Sequence, residues 1–169
     1  QKLRNNNASL VLTVDCGITA YEPLKAAHDD GLDIIVIDHH LAGPTLPNAM
    51  AIVNPNRLDD ESGFGFLCAS GVCFIICVSL IRALRKLGHT DLPDLLSVLD
   101  LVSIATLCDV VPVINLNRAF IRQGLKVMRQ RRNIGLAALA DVAGLDKAAS
   151  EYECSFILGP RINAAGRMG

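Results

Sequence analysis

Apolar residues in the first third of the chain come in short runs that stop at charged or turn-forming positions. Residues 10–15, LVLTVD, are a β-branched run closed by an acid, 33–38, DIIVID, repeat the pattern, and 50–56, MAIVNPN, end in a proline turn. Between the first two lies TAYEPLKAAHDDG, 19–31, with helical composition, Pro23 near its first turn and Gly31 as a stop. Strands separated by a helical segment predict a βαβ unit with a parallel sheet. The runs are continuously apolar rather than alternating, which predicts strands buried on both faces.

From about residue 65 the pattern turns helical. It predicts helices over 68–87, ended by Gly88, over 93–106, with Asp91 or Thr90 as cap, over 116–131, and over 135–143, ended by Gly144. The expected fold class is therefore α/β. A parallel sheet flanked by helices (about 1–65) precedes a mostly helical part (about 66–169). Residues 62–81 carry no charge and raise the question of a membrane span. Gly63, Gly65, Ser70 and Gly71 break the first half, leaving a strongly apolar helix of about two to four turns, short of the ~20 residues a span needs. A buried helix and no membrane are expected.

Composition sharpens this picture. Half of the 169 residues are hydrophobic (51%), which excludes disorder, and tryptophan is absent, so the core is aliphatic. The net charge of −1 announces no nucleic-acid partner, so any such binding needs a local basic patch. The six cysteines include no C-x-x-C pair and several sit in apolar runs. They read as small hydrophobes in a reducing compartment, here the cytoplasm. Arg129, Arg131 and Arg132 cluster at an expected helix end, where the helix dipole favours cations.

Chemistry is expected where the strands end, because ligands of open α/β sheets bind beyond the carboxyl ends of the strands. The first run stops at Asp15 and the second at Asp38-His39-His40. A third acid, Asp109, follows the apolar segment LLSVLDLVSIATLC. Two carboxylates and an imidazole suit Mg²⁺ or Mn²⁺. Paired ions of this kind clamp the attacking and leaving oxygens in phosphate-ester hydrolysis. His40 is placed to act at the phosphate or a leaving oxygen, and Asp38 to orient His39. The residues alone leave open a plainer reading, with Asp15 as a helix cap and the histidines satisfied in a turn.

Four segments, TVDCGIT, VIDHH, IATLCDVVPVINLNR and GPRINAAGRM, resemble in order successive motifs of the DHH phosphoesterase family. The last, together with VNPNR (53–57) and CASGVCF (68–74), resembles its RecJ type. The resemblance implies a metal-dependent 5′-to-3′ exonuclease on single-stranded DNA, in repair and recombination. It implies Asp15, His39 and Asp109 as metal ligands, His40 and Asp38 as catalytic residues, and Mn²⁺ or Mg²⁺ as cofactor. Arg161, Asn163 and Arg167 then face the nucleic acid, and DNA-repair or replication proteins are possible partners. By the same resemblance the chain is a partial domain. The family's upstream Asp-x-Asp motif and its downstream domains are missing, and the chain alone is expected to be inactive. Two other functions compete: a small-substrate phosphodiesterase of the family (oligoribonucleotide, cyclic dinucleotide or pyrophosphate), and a non-catalytic DNA- or replication-protein-binding module. Retention of Asp15, His39, His40 and Asp109 disfavours the module.

Overall fold

The three apolar runs form three parallel strands, β1 (Leu10–Val14), β2 (Asp33–Ile37) and β3 (Ala51–Val53), in the order β1-β2-β3. The structure is a computed structural model and describes residues 2–165. A short helix, α1 (Lys2–Asn5), precedes β1. The crossover from β1 to β2 runs through α2 (Tyr21–Asp29), which stops two residues before Gly31 at φ +77°. Leu24 of α2 packs with Ile34 and Val36 of β2, and Ala20, Ala27, Ala49 and Ile52 close this small core. These residues belong to the first of two compact units, Gln1–Cys73 and Phe74–Gly169.

Burial on both faces holds for the central strand only. Ile34, Val36 and Ile37 are buried, but Leu10, Leu12 and Val14 on β1 are 45–54% exposed, as is Val53 on β3 at 39%. On β1 the exposed residues alternate, Leu10, Leu12 and Val14, so they share the one face of that strand that is left uncovered. A continuous apolar run marks a strand but does not say which of its faces is covered.

The uncharged segment splits as its glycines suggest. Residues 62–68 are irregular, and α3 (Ala69–Lys86) is buried at Ala69 and Val72 but exposed at Cys77 and Leu80. The expectation of a buried helix thus holds for its first half. No helix of the described residues is long and apolar enough to cross a membrane.

In the second unit a 3₁₀ turn, Leu95–Val98, leads into α4 (Leu99–Cys108). Its cap is Asp94, whose carboxylate accepts from Leu96 N–H at 2.9 Å, and not the expected Asp91 or Thr90. The helix begins later because the chain first tightens into 3₁₀ geometry, and the acid beside that turn takes its free N–H. Next come α5 (Asn115–Met128) and α6 (Ile134–Val142), the latter capped by Asn133. The final stretch, with no element expected from its pattern, is also helical: α7 (Glu151–Glu153), a π-helical turn over Cys154–Leu158, and α8 (Gly159–Ala165). Ser150 and Glu153 form a capping box at its start, an S-x-x-E signal present in the sequence. Ile104, Leu107, Ile121, Leu125, Cys154 and Leu158 make up the core of this unit.

Candidate metal centre

Parallel pairing in register decides where the acids go. Val14 pairs with Ile37, so Asp15 and Asp38 are the next residues out of two neighbouring strands at the same edge. Asp15 N–H still donates to Ile37 carbonyl at 3.0 Å, and Asp38 N–H to Val53 carbonyl at 3.1 Å. At Asp15 the backbone turns into the left-handed region, φ +63°, which short polar side chains tolerate better than most. Gly17 follows at φ +117°, and a Cβ there would lie 2.7 Å from Thr13 Oγ1. Both its conformation and its surroundings require glycine.

This turn brings Asp15 to His39. Their Oδ1 and Nε2 atoms are 3.1 Å apart, with the imidazole largely buried and the carboxylate exposed. The His40 ring lies 4.6 Å from the His39 ring, centroid to centroid. One ligand-capable atom from each of Asp15, His39 and His40 falls within 4.8 Å of the others. An oxygen and two imidazole nitrogens that close fit one divalent cation, with the nitrogens favouring Mn²⁺ over Mg²⁺.

Asp38 does something different from what its motif position suggests. It is 1% exposed, and its Oδ2 accepts from Ile18 N–H at 3.0 Å. Its Oδ1 accepts from the N–H groups of His39 (2.8 Å) and His40 (3.3 Å), and His40 Nδ1 lies 2.7 Å away. Asp38 therefore orients the ring of His40. The expectation that it orients the ring of His39 is corrected: that ring turns to Asp15, and His39 meets Asp38 through its backbone N–H. Burial alone would raise the pKa of Asp38. The hydrogen bonds from Ile18, the His40 ring and the two histidine N–H groups together outweigh it and hold the carboxyl below its ordinary value. An ionised carboxylate only accepts, so Nδ1 of His40 carries the proton and Nε2 keeps its lone pair.

Two asparagines complete the turn, and neither is among the site residues to which the sequence points. Asn54 Nδ2 donates to His40 carbonyl at 2.9 Å, and Asn56 Nδ2 donates to His39 carbonyl at 2.6 Å. In the sequence NPN reads as a turn within a RecJ-like segment, and nothing in its spacing links it to residues about fifteen positions upstream.

The remaining candidates lie in the second unit. Asp109 is exposed at the end of α4, and the chain leaves it through Val110 at φ +57°, a strained conformation for a β-branched residue. Arg161 and Asn163 are exposed on α8. They are two residues apart, so they do not share a helix face, and Arg161 Nη1 donates to Ile157 carbonyl at 2.7 Å. Arg167 lies outside the described residues. Arg131 pairs with Asp141 at 2.6 Å, the plain structural role of a basic residue near a helix end.

A parallel sheet whose strand ends carry an acid and an Asp-His-His turn defines a class. The family model for the DHH family, N-terminal domain, matches residues 2–106, and the chain belongs to that family. Within it, the chain is 40% identical over 168 residues to the single-stranded-DNA-specific exonuclease RecJ of Escherichia coli, covering 95% of this chain and 29% of that protein. The RecJ of Thermus thermophilus is 34% identical over 165 residues, covering 96% of this chain and 23% of that protein. The crystal structure of an exonuclease RecJ bound to manganese superposes with a TM-score of 0.81 at 32% identity, over all of this chain and 42% of that one. The Thermus thermophilus RecJ structure in complex with Mn²⁺ gives 0.79 at 34% identity, over 99% of this chain and 24% of that one. The chain thus spans less than a third of the length of these curated relatives.

Proposed function

We propose that this chain supplies metal ligands and catalytic residues for phosphodiester hydrolysis in a 5′-to-3′ exonuclease acting on single-stranded DNA, a substrate met in the cytoplasm. The observation that carries the reading is the meeting of Asp15, His39 and His40 within 4.8 Å at the carboxyl edge of the sheet, in a DHH-family chain. Asp15, His39 and Asp109 are the proposed ligands. Mn²⁺ or Mg²⁺ would supply Lewis acidity at the phosphate. His39, held against Asp15, offers a pre-oriented nitrogen. Asp38 keeps a proton on Nδ1 of His40, which leaves its Nε2 to act at a phosphate or leaving oxygen. Arg161, Asn163 and Arg167 are the proposed contacts to the strand, with arginine forks suited to phosphate. The names of the RecJ relatives support both the substrate and the metal.

The test grafts this chain in place of the matching segment of the Escherichia coli relative. The graft is expected to release nucleotides from 5′-phosphorylated single-stranded DNA in the presence of Mn²⁺. His39→Ala in the graft should lower that rate at least about 100-fold, with an unchanged circular-dichroism spectrum, because a lost ligand disables metal chemistry while a cleft residue adds little to packing. Equal digestion by the folded His39→Ala graft would refute the ligand role. A graft that cleaves small nucleotides and spares DNA would refute the substrate.

A further inference from the structure

We propose that Asn54 and Asn56 are positioning residues that lock the His39–His40 turn and so set both imidazole rings. The proposal rests on the reading of Asp15 and His39 as a ligand pair. Past Asp38 the chain leaves the strand ladder, and the backbone groups of both histidines need other partners. Each of these four groups meets a side chain. Asp38 takes the two N–H groups. The asparagines take the two carbonyls, Asn56 that of His39 at 2.6 Å and Asn54 that of His40 at 2.9 Å. The asparagines are also tied to each other, since Asn54 Oδ1 accepts from Asn56 N–H at 2.8 Å. Asn54 is 2% exposed, and Pro55 between them stiffens the segment. Asn56 Nδ2 further donates to Gly65 carbonyl at 3.1 Å.

A carboxamide is required at both positions because each must donate to a carbonyl. Aspartate has nearly the same shape but points an oxygen at that carbonyl and repels it. Gly65 gives independent access to the same device. A Cβ on Gly65 would lie 2.5 Å from Asn56 Oδ1, so Gly65→Ala displaces the Asn56 amide without altering any ligand.

The experiment uses this chain labelled with ¹⁵N-histidine, observed by NMR through its ring nitrogens and titrated with Mn²⁺. Of its four histidines, His28 and His89 serve as internal controls for folding. Asn54→Asp, Asn56→Asp and Gly65→Ala are each expected to shift the ring signals of His39 and His40, leave His28 and His89 in place, and weaken Mn²⁺ binding about 10- to 100-fold, as loss of groups that orient metal ligands does. Adding Gly65→Ala to Asn56→Ala should change nothing further, because the displaced amide is already gone. Unmoved His39 and His40 signals in the folded variants would overturn the proposal, as would an unabated effect of Gly65→Ala in the Asn56→Ala background. Should Asn54→Asp move all four histidines, the other two variants decide. Absence of Mn²⁺ binding by the unaltered chain would count against the metal reading, while the ring signals still judge the asparagines.

Discussion

Burial disfavours the charged form of both Asp38 and Cys154, yet the two end in opposite states. Asp38 stays ionised because four donors surround it. Cys154 is fully buried, its Sγ 3.7 Å from Met128 Sδ, and its pKa is pushed up to about 12, first by burial and then by Cys108, Glu153 and Glu151. The folded chain therefore holds a neutral thiol where the unfolded chain would ionise near 9.0, the ordinary value. Since the native pKa is the higher one, this contribution to stability is complete below about pH 9 and is lost as pH rises toward about 12. Alkylation at pH 8 followed by mass spectrometry should label exposed Cys16 and Cys77 readily, and Cys154 only after unfolding. Equal labelling of Cys154 and Cys16 in the folded chain would show that the thiol is accessible.

At the scale of elements, the packing of α4 on α5 turns on one glycine. A Cβ on Gly124 would lie 2.2 Å from Leu99 carbonyl oxygen and 2.3 Å from Ser103 Cβ. Intrinsic propensity favours alanine in a helix interior by about 1 kcal/mol. Contact with backbone reverses that preference, because the helices must separate to admit a methyl group. Gly124→Ala is expected to destabilise the chain by about 1–3 kcal/mol, read as a lower urea midpoint with an unchanged slope. A midpoint that rises would mean propensity outweighs packing at this position. Most element ends were legible: Gly31, Gly88 and Gly144 mark stops and show positive φ. The Asp94 cap and the helix opening at Ser150 escaped the periodicity, because each is declared by a local side-chain bond rather than by an apolar stripe.

For the molecule as a whole, charge is the issue: a net charge of −1 leaves nucleic-acid binding to local groups. In the graft, Arg161→Ala is expected to lower the log–log salt slope of single-strand affinity by about 0.7, the share of one phosphate contact, with Mn²⁺ affinity unchanged. Filter binding between low and moderate salt measures it. An unchanged slope would confine Arg161 to its bond with the Ile157 carbonyl.

The sequence by itself determined that Asp15 and Asp38 leave the sheet at one edge. Two apolar runs joined by a helix make parallel neighbours, and parallel strands end on the same side. It also determined the family, because four ordered motifs are local strings. Tertiary structure alone decided that His39 turns to Asp15 while Asp38 grips His40, since side-chain direction past a strand end depends on partners from other segments. It alone brought Asn54 and Asn56 to the histidine carbonyls, Gly65 to Asn56, and Leu99 against Gly124. These contacts join residues about ten to twenty-five positions apart. Each depends on a hydrogen bond or a close approach that no periodicity in the chain encodes.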